Sequence, residues 1–231
     1  MSKGKIIVIE GVDSSGKETQ TKLLKEKLEK KHIPVMTVSF PRYGSPFCKF
    51  VELYLSGYFG DKASNVNPYI ASSMYAIDRY GSMINDNWKE FYNNGGIVIF
   101  DRYVLSNVIH QGALMEVSER AEYINWLYDL EYNKIGLPVP DKIIFLDMLP
   151  ELAQLLIKDR PNKINGEKEK DIIEKDINFM KQSYLNAMNI ATEQKWLIQP
   201  CYKEKGIYRL NNIKSPEEVN VDIYNKIKDI L

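Results

Sequence analysis

The chain has 231 residues, 44% of them hydrophobic, and its 31 basic and 31 acidic side chains give a formal net charge of +0. That length builds one α/β domain with a full core, here read as residues 1–231, and the even charge argues against a dedicated nucleic-acid or membrane-surface binder. Cys48 and Cys201, the only cysteines, are too few for a disulfide framework or a zinc site and fit a reducing compartment.

No apolar signal core of roughly 7–15 residues opens the chain, and no apolar run approaches the ~18–20 residues of a membrane span, so a cytoplasmic protein is expected. The run Lys5-Ile6-Ile7-Val8-Ile9-Glu10 predicts a strand, and Thr19 to Leu28, with leucines at 23, 24 and 28, predicts a helix. Between them lies Gly11-Val12-Asp13-Ser14-Ser15-Gly16-Lys17-Glu18. Strand, glycine-rich loop and helix form the context in which such a pattern binds phosphate. Glycines let backbone N–H groups turn toward an anion, the helix N-terminus adds partial positive charge, and Lys17 adds a full one. The candidate phosphate-binding residues are therefore Gly11, Ser14, Ser15, Gly16, Lys17, Glu18 and Thr19; the plainer alternative is an ordinary strand-to-helix turn. Glu18 stands where the pattern has Ser or Thr, and a carboxylate also serves a hard cation such as Mg²⁺.

Pro34 to Phe40 reads as a second strand, delivering Phe40-Pro41-Arg42-Tyr43-Gly44 to the ligand edge of a parallel sheet. Phe40 fits either the core or a pocket wall, and Arg42, in a loop after proline, is a candidate phosphate contact. A helix is expected over 46–57, a polar loop over 60–67, and one long helix from Pro68 to about Tyr92. On that helix Tyr75 and Arg79, four residues apart, share a face. They would offer a ring to stack on a base and a planar fork for its edge, or else a core tyrosine beside a surface arginine.

Ile97-Val98-Ile99-Phe100 predicts a buried strand ending in Asp101-Arg102-Tyr103, with Ser106-Asn107 and His110-Gln111-Gly112 following. Asp101 is a candidate Mg²⁺- or water-orienting carboxylate, or a cap for the next helix. An amphipathic helix over 119–135 turns Tyr123, Trp126, Leu127 and Leu130 inward. Lys142 to Asp147 reads as a fourth strand, with a helix over 150–158 behind it. Residues 159–170 are polar and read as a mobile segment, carrying Arg160. A long helix from about Asp171 to Gln194 carries Ile173, Ile177, Met180, Tyr184 and Met188. Trp196 to Cys201 is a last strand, with 206–210 as its hairpin partner. Ser215-Pro216-Glu217-Glu218 starts the terminal helix, which runs to about Ile230.

This alternation predicts an α/β fold of the P-loop NTPase type, with a mostly parallel five-stranded sheet flanked by helices and ligands at the strand C-terminal ends. Taken together, Gly11-x-Asp13-x-x-Gly16-Lys17, Phe40-Pro41-Arg42-Tyr43, Tyr75-x-x-x-Arg79, Asp101-Arg102-Tyr103-x-x-Ser106-Asn107 and Asp159-Arg160 resemble thymidylate kinase over roughly residues 3–230. The resemblance implies transfer of the γ-phosphoryl of ATP to dTMP, giving dTDP and ADP, with Mg²⁺ as cofactor, a mobile lid near 159–170 and a homodimer. It also implies that Asp13, Lys17, Arg102 and Arg160 act in catalysis, with Asp13 at the sugar hydroxyl or metal shell and Arg102 and Arg42 on the 5′-phosphate. Tyr75 would stack on thymine and Arg79 would meet the base edge. Phe40, Pro41, Tyr43, Ser106, Asn107, His110 and Gln111 would complete the dTMP pocket, and Asp101 and Glu18 would serve the metal. Two alternatives are another nucleoside or nucleoside-monophosphate kinase and a nucleotide-binding regulatory module; the two arginines aimed at an acceptor phosphate favour a monophosphate kinase.

Overall fold

The computed structural model describes residues 3–157, 173 and 176–231. In chain order its elements are β1 (Lys5–Glu10), α1 (Lys17–Glu29), β2 (Val35–Ser39), α2 (Lys49–Leu55), α3 (Pro68–Asn85), α4 (Trp88–Asn93) and β3 (Ile97–Asp101). There follow α5 (Val104–Ala113), α6 (Arg120–Tyr128), β4 (Lys142–Asp147), α7 (Pro150–Ile157), α8 (Ile177–Glu193), β5 (Leu197–Pro200) and α9 (Pro216–Ile227). Among the described residues the five strands form one all-parallel sheet in the order β2-β3-β1-β4-β5.

The middle of the sheet is read easily from the sequence. Ile6 to Ile9 of β1 and Val98 to Phe100 of β3 are buried completely, because crossover helices cover both faces of a parallel sheet. Val8 lies beside Phe100 on one side and Ile143 on the other. The chain leaves β1 toward β2 and β3 on one side and toward β4 and β5 on the other, so a crevice opens beyond the C-terminal end of β1. Three of the strands end there in buried carboxylates, Glu10, Asp101 and Asp147. Around the sheet α1 packs on α9, while α5 contacts α3, α6 and α8.

Several expected elements differ. The single helix over 68–92 is two, because Asp86 adopts an extended backbone after α3. Its carboxylate accepts from Ser82 Oγ at 2.6 Å and pairs with Arg42 at 2.7 Å, while Trp88 buries itself against Phe100 and donates to Ser82 Oγ. Past Tyr128 the helix over 119–135 widens into a π-helical stretch, Asp129–Lys134, which carries Glu131 fully inside. The helix expected from Asp171 starts at Ile177, where the Asp176 carboxylate caps Phe179 N at 3.0 Å.

No hairpin strand forms over 206–210. Asn212 instead fastens the loop with its own amide, donating to Glu204 O at 2.8 Å and Ile207 O at 2.7 Å and accepting from Glu204 N. The start of α9 follows expectation: Ser215 and Glu218 form a reciprocal capping box with Pro216 at the first position.

Candidate functional site

The glycine-rich loop between β1 and α1 is shaped by its backbone. Gly16 has φ +92°, a left-handed conformation a side chain would strain, and it begins α1. A Cβ on Gly11 would collide with Ser15 Oγ, so that glycine is required by close approach. The Lys17 ammonium curls over the loop and donates to Gly11 O at 3.0 Å and Val12 O at 2.8 Å. Burial and the nearby Arg102 guanidinium lower its pKa to about 8, against the opposing pull of Asp13, Asp101 and Glu10.

Two cavities meet at this loop. One is lined by Asp13, Ser14, Gly16, Lys17, Glu18, Thr19, Asp101, Arg102 and Leu156. The other is lined by Asp13, Pro41, Tyr43, Leu55, Tyr75, Arg102, Ser106, Asn107, His110, Gln111 and Ile173. Asp13 and Arg102 belong to both, and their side chains form an ion pair. The boundary between the cavities is therefore this charge pair.

Arg102 reaches that position from the turn between β3 and α5, where it has φ +67°. Its Nη1 donates toward His110 Nε2 at 3.1 Å and Ser106 Oγ at 3.4 Å. Burial works against its charge, but Asp13, Glu10 and Asp101 outweigh that and hold its pKa above the usual arginine value. Glu10, fully buried at the end of β1, fixes the same turn by accepting from Tyr103 N at 3.0 Å and Ser106 Oγ at 2.7 Å. Burial raises the pKa of Glu10, and likewise that of Asp101, which Lys17 and Arg102 oppose.

His110 is buried, and burial followed by the charge of Arg102 lowers its pKa to about 3, so it is neutral at physiological pH. An arginine N–H can only donate, so His110 Nε2 accepts and the proton sits on Nδ1. That Nδ1 has no partner among the described residues.

Three expected contacts are set back from the pocket. Phe40, 4% exposed, stacks on Phe100 in the core with ring centroids 5.9 Å apart, since the strand end continues the apolar layer. Arg42 is engaged elsewhere: its Nε pairs with Asp78 at 3.2 Å, Nη1 with Asp86 at 2.7 Å, and Nη2 donates to Ser45 Oγ. Arg79, expected at the base edge, is 1% exposed and gripped by Glu131, Nε to Oε2 at 2.6 Å and Nη2 to Oε1 at 2.5 Å. Glu131 outweighs the burial that opposes its charge and holds its pKa above the usual value. Arg160 lies outside the described residues.

Leu55, Ile173 and Leu156 line the cavities without having been expected there. Each is an apolar residue inside a helical pattern, so nothing in the sequence separates it from core. Glu131 was also missed, although it continues the buried Tyr123–Leu127 stripe at helical spacing, and a carboxylate on an apolar stripe signals a buried partner.

The oxygen donors that line the loop cavity are the carboxylates of Asp101, Glu18 and the Arg102-paired Asp13 and the hydroxyls of Ser14 and Thr19, a set of hard ligands that suits a hard cation. Among the described residues no group of three or more His, Cys, Asp or Glu forms a metal cage of its own.

A family model for thymidylate kinase matches residues 9–206. The thymidylate kinase of Mycobacterium tuberculosis (strain CDC 1551 / Oshkosh) is 29% identical over 218 residues, 93% of this chain and 99% of that one. A probable thymidylate kinase of Pyrobaculum aerophilum is 28% identical over 97% of both chains. The solved structure of Candida albicans thymidylate kinase superposes with a TM-score of 0.67 at 21% identity, covering 99% of this chain and 93% of that one, which establishes the shared fold. With a glycine-rich loop beside a second polar cavity and a family match over most of its length, this chain belongs to the thymidylate kinase family and is a kinase that uses ATP to phosphorylate dTMP to dTDP.

Proposed function

We propose that the triphosphate of ATP occupies the loop cavity, that dTMP occupies the neighbouring one, and that the phosphoryl group passes between them across Asp13 and Arg102. The observation that carries this reading is the sharing of those two residues by both cavities. A donor anion and an acceptor anion have to be held in line with their charge neutralised, and little covalent chemistry is asked of the protein. Lys17 leaves its loop carbonyls for the β- and γ-phosphates, and the N–H groups at the start of α1 face the same anion. Arg102 holds the 5′-phosphate of dTMP while Asp13 restrains its guanidinium or meets the sugar hydroxyl. Tyr75 packs on the base, and Tyr43, Ser106 and His110 close the nucleoside wall.

Asp101 and Glu18 would hold Mg²⁺, which supplies charge neutralisation on the phosphates when bound. No hydrogen bond reaches the Asp101 carboxylate among the described residues, which keeps it available for such a ligand. By family resemblance Arg160 adds a positive charge to the transferring group. Arg160→Ala is expected to lower kcat by about 10²-fold or more while leaving the KM for dTMP nearly unchanged. An unchanged kcat removes Arg160 from the mechanism.

The chain is further read as a homodimer through the outer face of α3, where Ile70, Ile77 and Ile84 are exposed at seven-residue spacing. It is also read as cytoplasmic, in keeping with the finding that no helix among the described residues is long and apolar enough to cross a membrane.

The experiment that tests the whole reading is ADP release from ATP·Mg²⁺ with dTMP, dUMP, dCMP, dGMP and thymidine in parallel. Fast turnover with dTMP well above dCMP, dGMP and thymidine supports it. Turnover with thymidine at the rate of dTMP removes Arg102 as an acceptor-phosphate group.

A further inference from the structure

The strand that leads into the glycine-rich loop ends in a carboxylate that solvent does not reach. Glu10 is fully buried at the end of β1, and both its oxygens are used across the sheet on the turn between β3 and α5. Oε1 accepts from Tyr103 N at 3.0 Å and Oε2 from Ser106 Oγ at 2.7 Å. Beside it Ile9 O accepts from Arg102 N at 3.1 Å. The end of β1 therefore takes the N–H groups of two successive residues of that turn.

The turn has little to hold it from within. Arg102 has φ +67°, a region that a residue with a side chain keeps only when its neighbours hold it there. Tyr103 is the N-cap of α5 but makes no side-chain cap, and its hydroxyl donates to Pro138 O instead. In a capping box a Glu or Gln at the third helical position accepts the N–H of the N-cap residue. Here that position is Ser106, and Glu10 takes the N–H from a different element. A hydroxyl has one hydrogen, and Ser106 gives it to Glu10. Its lone pairs are left for Arg102 Nη1, which donates to it at 3.4 Å. The link thus runs from guanidinium through hydroxyl to carboxylate, and Glu10 is among the groups that keep Arg102 charged.

We propose that Glu10 is a positioning residue for the phosphoryl transfer: it caps α5 from β1 and, through the Ser106 hydroxyl, sets the Arg102 guanidinium for the acceptor phosphate. Since β1 runs straight into the glycine-rich loop, one strand end keeps the donor cradle and the acceptor arginine in register. Glu10 itself touches neither substrate in this scheme. A change there is felt by the phosphate of dTMP and not by its base or sugar. The inference rests on the reading of Arg102 as the group that holds the 5′-phosphate.

The test compares the Kd of dTMP with that of thymidine, the same base and sugar without the phosphate, in the full-length protein and its variants. Glu10→Gln is nearly isosteric. Its amide oxygen still accepts from Tyr103 N, but its amino group donates to Ser106 Oγ and takes the place of the carboxylate that received the Ser106 hydrogen. That hydrogen must then turn elsewhere, and the link to Arg102 is broken. dTMP is expected to bind about tenfold more weakly, with thymidine binding as in the wild type. A role confined to stability leaves both ligands unchanged or weakens both alike, and either result overturns the proposal.

Arg102→Ala separates the two levels of failure. If it leaves the dTMP-to-thymidine ratio of Kd unchanged, Arg102 does not hold the phosphate and the reading beneath the proposal falls. If it collapses the ratio while Glu10→Gln keeps the wild-type value, that reading stands and the positioning role is overturned. Should Glu10→Gln not fold, Ser106→Ala cuts the same link from its other end. It is expected to weaken dTMP and spare thymidine in the wild-type background, and to add nothing in the Arg102→Ala background. A further loss of dTMP affinity in that background means that Ser106 meets the phosphate directly, and the link through it is overturned. No effect in either background overturns it as well.

Discussion

Burial and the Arg102 guanidinium together bring the Lys17 pKa down to about 8, so its charge is already partial in mildly alkaline solution. The unfolded chain keeps the ordinary lysine value of about 10.4, and between the two values it binds more protons than the folded protein. The ligand-free fold therefore gains stability from this group as pH rises through that window. ATP reverses the balance, because phosphate oxygens favour the ammonium form. Near pH 8.5, ATP binding is expected to take up a fraction of a proton, read by calorimetry in two buffers of different ionisation enthalpy. Lys17→Arg, charged at every accessible pH, should abolish the uptake; equal enthalpies for the wild type in both buffers would sink the idea. His110 gives a complementary expectation. With a pKa near 3 it contributes no limb to the pH–activity profile near 6.5, and His110→Asn should leave the acidic side of that profile where it was. At this scale the sequence brought the right neighbours together at Gly16-Lys17 and Asp101-Arg102, which line one cavity. It was silent where one residue type serves two ends: Arg42 and Arg79 carry the charge a phosphate or a base would want, yet both spend it on carboxylates, Asp78 and Asp86 or Glu131.

Strands were legible because β1 and β3 are unbroken apolar runs, and helix starts were legible where a cap is spelled out, as at Ser215-Pro216. Helix interiors were not. Asp86 ends α3 only because Ser82 and Arg42 are near it in space, and Glu131 turns inward only because Arg79 waits there. The same dependence on distant partners appears beside the site. Asp147, 3% exposed at the end of β4, accepts a hydroxyl from Tyr184 on α8 and one from Tyr202 just beyond β5, each at 2.7 Å. One carboxylate thus joins three elements at the ligand edge of the sheet. Asp147→Ala strands both hydroxyls and is expected to cost about 3–5 kcal/mol. Asp147→Asn, which still accepts from one tyrosine and donates to the other, should cost less than half of that. Denaturant midpoints at constant slope check the ordering, and equal losses in the two variants would show that packing, not the hydroxyls, sets the value.

At the scale of the molecule, α3 is a wall with two working faces. Tyr75 lines the cavity proposed for dTMP and Arg79 lies buried, while Ile70, Ile77 and Ile84 stand 45–56% exposed. Tyr80, Leu130 and Ile135 border a shallow groove beside Ile77. Three exposed isoleucines at seven-residue spacing, with a groove beside Ile77, offer an apolar stripe, and a second copy of the chain meeting it across a two-fold axis would bury it on both sides. The wild-type protein is accordingly expected to sediment at twice the 26.8 kDa chain mass at micromolar concentration. Ile77→Glu places a carboxylate in the middle of the stripe, where pairing brings two like charges together, and should return the mass to a single chain. Because the inner face of the same helix forms a wall of the cavity proposed for dTMP, the monomer should bind ATP as before but show a raised KM for dTMP. A wild-type protein sedimenting as one chain excludes the stripe as a dimer face. A dimeric Ile77→Glu protein moves the contact to another surface.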